Sequence, residues 1–196
     1  MATLIAGLLL FLGMHAVRVV AEPLRTAAIA RIGVQGWRGL YSAVSLVGLW
    51  LLVSGYASAH LGSPDLYAPP AWAHPVALAL MLPSLVLVVA AYVPGTHIRQ
   101  WVGHPMLFGT RVWAFAHLLA NGRLADVALF GSFLGWSIFA YHAARARDRV
   151  AGTRYPAVGW PRDVMAVVVG AVGWLAILVY LHVWIAGVPL SSAAPI

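Results

Sequence analysis

The hydrophobic residues of this chain are concentrated in long runs that alternate with short polar segments. Each run is close to the length that an α-helix needs to cross a hydrocarbon core of about 30 Å. We predict six membrane spans, at about Thr3–Val20, Leu40–Ala59, Pro75–Val93, Pro105–Ala120, Leu124–Ala143 and Val164–Ile185. The expected fold is therefore all-α: a polytopic integral membrane helical bundle with about six transmembrane helices.

The segments between the runs are short. The sequence NGRL joins the fourth and fifth spans and predicts that they are antiparallel neighbours, whereas HLGSPDLYAPPAWAH predicts an irregular loop. Ser45, Gly48 and Gly55 in the second span are small residues that would let another helix approach closely. We expect a single transmembrane domain over residues 1–188 and a flexible tail over residues 189–196.

The cations indicate how the bundle is oriented. All 12 are arginines, and in the six-span arrangement all except Arg123 fall toward one side. Arginine-rich loops stay in the cytoplasm, so we expect a multi-pass protein of the bacterial inner membrane with both termini in the periplasm. The formal net charge of +7 is thus interpreted as a topology signal, and no nucleic-acid partner is expected.

Composition narrows the possible chemistry. The 196 residues are 62% hydrophobic and 9% charged, which leaves no room for a soluble domain of ordinary size. The chain has no cysteine, which excludes disulfides, thiolate metal ligands and a cysteine nucleophile. Histidine is the only strong nitrogen ligand, so any chemistry is expected between helices or at their ends.

Ionisable side chains inside the spans are candidates for function, because burying them in lipid costs free energy. They are His15 and Arg18 in the first span, His104, Arg111 and His117 in the fourth, and His182 in the sixth. Arg18 lies three positions after His15, so the two lie on neighbouring parts of one helical surface.

Helical geometry separates the candidates of the fourth span. His104 and Arg111 point nearly the same way, whereas His117 lies about 140° around the helix and about 20 Å further along it, on the same face as Trp113. His104 precedes Pro105, a favoured first-turn residue, and is expected at or near the N-cap. The two histidines of this span are therefore expected to serve different purposes.

Several histidines have an ordinary explanation. Those that flank the spans are interpreted as interfacial: His60, His74, His97 and His142. For His104, a helix cap or a contact with phosphate head groups explains the residue about as well as a functional role does. His15 and His117 are harder to explain this way, since a neutral buried imidazole still needs a partner for each nitrogen.

Two histidines on different helices of a small bundle suit haem b, whose iron binds imidazoles and whose propionates pair with arginines. Zinc or copper would need three or four clustered ligands, and the chain contains no H-x-x-H or H-x-x-x-H pair. No acidic residue lies well inside a span, which argues against a carboxylate-based proton or cation pathway.

Four segments, FLGMHAVR, LYSAVSLVGLWLLVSGY, AAYVPG and HPMLFGTRVWAFAHLLANG, together resemble the NnrU family. Its members are bacterial membrane proteins associated with denitrification and nitric oxide metabolism. The similarity extends from the first span to about Arg145. It implies a role in nitrogen-oxide metabolism for this chain.

The NnrU family is similar in turn to 15-cis-zeta-carotene isomerase, an integral membrane protein that uses haem b. This resemblance implies that MHAVR and WAFAH supply the two axial ligands, which fall on His15 and His117. The isomerase has a cysteine where this chain has Ala114, so a thiolate switch on the iron is not possible here. A second departure is Gly103, where an arginine is expected before the His-Pro pair and Arg99 is the nearest replacement.

HPMLFG also resembles, more weakly, the RHPxYxG signature of isoprenylcysteine methyltransferases, which bind S-adenosylmethionine. This resemblance leaves open a membrane methyltransferase with a pocket around His104. Another alternative is a haem-dependent cis-trans isomerase acting on a polyene or another apolar small molecule. A third is a structural or assembly factor in which the histidines bind no cofactor.

The leading hypothesis is a haem b-binding membrane protein with His15 and His117 as axial ligands. Arg18 and Arg111 are the expected propionate partners, and Trp113 and His104 are expected beside the cofactor. At 1.5 Å per residue, the alpha carbons of the two ligands should be offset by about 12 Å along the membrane normal. Membrane lipid is the other expected partner.

Overall fold

The structure, a computed structural model, describes residues 1–186, so the predicted tail over residues 189–196 lies outside the described residues. The chain is all-α, as predicted, and over residues 1–186 its only β pairing is an isolated bridge between Asp65 and Arg123. The helices are α1 (Ala2–Val20), α2 (Glu22–Gly62), α3 (Ala73–Tyr92), α4 (His97–Val102), α5 (Pro105–Ala120), α6 (Leu124–Ala151) and α7 (Trp160–Ala176). A π-helical turn (Ile177–Leu181) and α8 (His182–Ala186) continue α7.

Within residues 1–186, five helical stretches are long and apolar enough to cross a membrane: α1, α2, α3, α6 and the run Trp160–Trp184. The predicted fourth span is α5, which begins and ends at the predicted residues. Its 16 residues rise only about 24 Å, so α5 is shorter than the five others. It lies between its neighbours α3 and α6, and we treat it as part of the membrane bundle.

The predicted second span, Leu40–Ala59, lies within a much longer helix. Helix α2 begins at Glu22 and is interrupted at Gly33, whose φ of 73° and ψ of 168° break the helix. The hydropathy pattern identifies the apolar part of a helix and not its polar extension, so the arm before Gly33 was missed. Similarly, α6 continues eight residues beyond the predicted Ala143, to Ala151.

Three helices, α1, α2 and α6, contact one another. Helix α2 packs on α1, α6 contacts α1 and, less extensively, α2, and α6 also packs on α5. Helix α5 also packs on α3, and α3 packs on α7. Helix α6 therefore joins the α1–α2 pair to the rest of the bundle. The neighbouring positions of α5 and α6 agree with the prediction from NGRL.

Glycines set the distance between α1 and α2, as the small residues of the second span predict. A Cβ atom at Gly55 would lie 2.5 Å from the backbone nitrogen of Leu4, and one at Gly48 would lie 2.8 Å from that of Phe11. The close approach buries Leu4 fully and leaves Leu52 4% exposed. This contact fixes the position of α1, the helix that carries His15.

Candidate functional site

His15 lies where α1, α2 and α6 meet. Its Nδ1–H donates to the carbonyl oxygen of Phe11, one turn earlier, at 2.7 Å. The ring stacks on Phe11 with a centroid distance of 4.3 Å, and Tyr41 of α2 and Trp136 of α6 lie at 5.2 and 6.0 Å. Because Nδ1 is committed to the backbone, Nε2 is the nitrogen that remains for a ligand.

His117 on α5 repeats this local arrangement. Its Nδ1–H donates to the carbonyl oxygen of Trp113, again one turn earlier, at 2.9 Å. The ring stacks on Phe130 of α6 at 4.5 Å and lies 5.1 Å from the Trp113 ring, in agreement with the predicted shared face. Both candidate ligands therefore present Nε2 from a ring whose orientation is fixed by backbone and aromatic contacts.

Aromatic side chains connect the two histidines. Phe133 of α6 lies 5.8 Å from Phe11 and 5.4 Å from Trp113, measured between ring centroids. Phe11 is one helical turn from His15, and Trp113 is one turn from His117 in the opposite direction along the bundle. The two imidazoles are thus linked through Phe133 and are not in direct contact within residues 1–186, and the offset between their alpha carbons stays a prediction.

Two residues of helices α5 and α6 have buried donors that lack a hydrogen-bond partner within residues 1–186. They are the indole Nε1 of Trp136, next to His15, and the guanidinium of Arg111, of which Nε and Nη2 are both unpaired. Arg111 lies over the Tyr141 ring at 4.8 Å and over the Phe108 ring at 5.3 Å. Buried donors are normally paired, so an acceptor from a bound group would satisfy them.

The other predicted propionate partner has a different setting. Arg18 lies in the last turn of α1, its side chain is exposed, and it has no ion-pair partner among the described residues. Arg18 and Arg111 are thus both without a carboxylate partner in the part of the chain that is described, but Arg111 alone is inside the bundle.

His104 lies at the N-cap of α5, as predicted, but its side chain does not cap the helix. It hydrogen-bonds instead through Nε2–H to the carboxylate of Asp148 on α6, at 2.9 Å. The Tyr155 hydroxyl donates to the same carboxylate at 3.1 Å, and an Arg145 nitrogen lies 3.6 Å from it. Burial, and then the hydrogen bond to Asp148, raises the pKa of Tyr155, so this hydroxyl remains a donor at neutral pH.

The backbone conformation at position 103 explains why a glycine is present where an arginine is expected. It has a φ of 73°, which favours glycine, and its N–H closes α4 on the carbonyl of Arg99 at 2.8 Å. The guanidinium of Arg145 occupies the place that a side chain at position 103 would take. Helix α6 therefore supplies an arginine beside the His-Pro pair, and any side chain at Gly103 would displace it.

Sequence reasoning missed that two of the four histidines interpreted as interfacial are paired with aspartates on other helices. His60 on α2 bonds to Asp126 on α6 at 2.8 Å, and His97 on α4 bonds to Asp163 on α7 at 2.7 Å. With the His104–Asp148 pair, three of the five acidic residues of the chain have a histidine partner. The available signal was that the chain has only five acidic residues and that they lie near the ends of the predicted spans.

Replacing Asp126 by alanine is expected to lower the free energy of unfolding by about 3 kcal/mol. This carboxylate is 1% exposed and accepts from the Tyr56 hydroxyl, the His60 ring and the Arg123 backbone N–H, all of which would lose their acceptor. Denaturant titration in detergent measures the loss. Asp65→Ala is the control, because that side chain is 74% exposed and its surface pair is worth less than about 1 kcal/mol. Equal losses in the two variants would contradict the structural role of Asp126.

Metal binding by side chains alone is not supported over residues 1–186, where no three histidine, aspartate or glutamate groups converge on one point. His60, His97 and His104 form pairs with aspartates instead, and His15 and His117 lie among aromatic rings.

Comparison with known proteins gave no match among curated proteins and none among solved structures. The model of the family described as NnrU protein matches residues 3–190, nearly the whole chain. The match includes both ends of the aromatic connection described above and every helix of the bundle. The chain therefore belongs to the NnrU family.

Proposed function

We propose that this protein binds haem b through His15 and His117 and acts in nitric oxide metabolism in the bacterial inner membrane. The observation that carries the proposal is that both imidazole rings are held by the same kind of hydrogen bond. Each donates Nδ1–H to the carbonyl oxygen one turn earlier, at 2.7 and 2.9 Å, and keeps Nε2 for iron. A ring-nitrogen bond to a backbone carbonyl is the usual way in which proteins fix the tautomer of a metal-ligating histidine.

The unpaired donors support the same proposal. A propionate would provide the acceptor that the buried guanidinium of Arg111 lacks, and the pair would be strengthened by the apolar surroundings. Exposed Arg18, one turn from His15, is available to a second propionate at the arginine-rich end. Trp113 fixes His117 through its carbonyl oxygen, and His104 keeps the start of α5 attached to α6 through Asp148.

The bound group would supply a redox-active iron that binds nitric oxide or exchanges electrons. The chain's own residues would orient the two ligands, exclude water and pair the propionates. Phe11, Phe130 and Phe133 surround the ligands with apolar surface, which lowers the local dielectric constant and raises the effect of each nearby charge on the iron potential. With the arginine-rich end in the cytoplasm, both termini lie in the periplasm.

The absorption spectrum tests this proposal. Protein purified from cells that make haem is expected to be red, with a Soret band that shifts when dithionite reduces the iron. The pyridine haemochrome of the same sample is expected to identify haem b at about one equivalent per chain, since one pair of ligands holds one iron. A colourless protein without haemochrome, from cells supplied with a haem precursor, would overturn the proposal.

A further inference from the structure

The loop after α6 and the corner between α3 and α4 form a basin at the arginine-rich end. The backbone N–H of Val158 donates to the carbonyl of Gly95 at 2.9 Å, which holds the two segments together. A cavity of about 230 Å³ is lined by Gly95, Thr96, Arg99, Arg154, Tyr155 and Pro156. A second cavity, of about 170 Å³, is lined by Arg145, Asp148, Arg149, Gly152, Thr153 and Arg154. Arg154 borders both, and we call the two together the arginine basin.

The arginine basin is strongly positive. Its lining contains four arginines and a single carboxylate, that of Asp148. This carboxylate already accepts from His104 and Tyr155 and lies 3.6 Å from Arg145. Asp148 therefore has little capacity left to neutralise the remaining arginines, and the basin carries uncompensated positive charge.

Two of these arginines are prepared to receive an anion. Arg99 is held over the Tyr155 ring at 4.9 Å, and its buried Nε has no hydrogen-bond partner among residues 1–186. Arg154 is exposed and has no carboxylate partner in the same part of the chain. The buried hydroxyl of Thr96 accepts from the Arg99 N–H at 3.0 Å and keeps its own proton to donate.

The surroundings place the arginine basin at the depth of lipid head groups. Trp101 on α4 and Trp160 at the start of α7 are 66% and 61% exposed, and their rings lie 6.3 Å apart. Exposed tryptophans gather where hydrocarbon meets the polar head groups of a bilayer. Trp101 follows one of the two segments that line the first cavity, and Trp160 follows the other. A cavity at this depth can be reached both by the phosphate of a lipid head group and by phosphate in solution.

We propose that the arginine basin binds a phosphate group, held chiefly by the guanidinium groups of Arg99 and Arg154. Planar guanidinium forks match the oxygens of phosphate, and several oxygens on one tetrahedral group suit donors that approach from several directions. The first cavity, at about 230 Å³, is several times the volume of about 30 Å³ that a water molecule occupies. The source of the phosphate is an anionic lipid head group or phosphate in solution.

The test uses the full chain and two matched variants. Arg154→Gln removes one charge from the arginine basin at an exposed position that forms no hydrogen bond with residues 1–186, so it should not disturb folding. Arg147→Gln removes the same charge from an exposed position on α6 that lines neither cavity. Arg99→Lys, a third variant, keeps the charge but loses the fork.

Two probes distinguish the sources. Inorganic phosphate is titrated by calorimetry into protein in uncharged detergent, at constant ionic strength because salt screens such contacts. In parallel, the protein is reconstituted into vesicles of phosphatidylcholine and phosphatidylglycerol, extracted again, and analysed for co-purified lipid. Saturable phosphate binding indicates a soluble ligand, and selective retention of phosphatidylglycerol indicates a lipid.

In either arm, Arg154→Gln is expected to weaken binding about tenfold, Arg99→Lys to weaken it, and Arg147→Gln to leave it unchanged. The proposal is overturned if wild-type protein neither binds phosphate nor retains phosphatidylglycerol. It is equally overturned if Arg154→Gln and Arg147→Gln weaken binding to the same extent, because only diffuse surface charge would then be involved. Neither readout requires haem, so the result stands apart from that of the absorption spectrum.

Discussion

Replacing His117 by alanine is expected to remove the haem band of the purified protein or change its position, and His15→Ala is expected to do the same. Alanine cannot bind iron, and the hydrogen bond lost in each variant joins the imidazole to a carbonyl of the same helix, so no contact between helices depends on it. Loss of a residue that hydrogen-bonds to a metal ligand lowers metal affinity by about 10–100-fold. Loss of the ligand itself should lower the affinity for haem by more than this. Haemochrome content and the oxidised and reduced spectra provide the measurement.

His104→Ala is the informative comparison for these variants. It removes the hydrogen bond to Asp148 at the arginine-rich end but leaves both proposed ligands, so the band should be largely intact. His74→Ala serves as a surface control, since His74 is an exposed residue of α3. If His104→Ala alone bleaches the protein, while His15→Ala and His117→Ala keep their spectra, the ligand assignment is wrong.

Gly55→Ala is expected to lower the free energy of unfolding by about 1–3 kcal/mol. The added Cβ would lie 2.5 Å from the nitrogen and 2.8 Å from the Cα of Leu4, and these backbone atoms cannot rotate away. Helix α1 must therefore move from α2, which opens the contact around buried Leu4 and shifts His15 on the same helix. Denaturant titration in detergent measures the stability, and the haem band reports the displacement of His15.

Gly13→Ala is the matched control in the same pair of helices. Gly13 has no atom within 4 Å of an added Cβ, and alanine is favoured over glycine inside a helix by about 1 kcal/mol. This variant should be as stable as the wild type or slightly more stable. If Gly55→Ala proved no less stable than Gly13→Ala, close packing would not hold α1 against α2.

The features that sequence predicted well depend on residues close together along the chain. Pro105 after His104 predicted the start of α5, and Gly48 and Gly55 predicted that another helix would approach the second span closely. Trp113 was placed on the same face as His117 by helical periodicity alone. Local geometry was sufficient for each of these.

The features that sequence missed depend on contacts between distant segments. Asp126 and Asp148 lie 66 and 44 residues from their histidine partners, so no spacing rule connects them. The position of Phe133 between the two candidate ligands likewise follows from how α6 packs on α1 and α5. The break at Gly33 was missed because a glycine outside the apolar run carries no hydropathy signal.

The partial exposure of the rings affects how molecules reach the candidate site. A site sealed in the centre of a bundle is shielded from lipid, but rings that reach the outer surface of the helices are not. The connection from His15 through Phe133 to His117 joins α1, α6 and α5, and Tyr41 of α2 lies beside His15. His15, Phe133 and His117 are nevertheless only partly buried. An apolar molecule dissolved in the bilayer could therefore approach this connection sideways through the lipid, without a channel that opens to water.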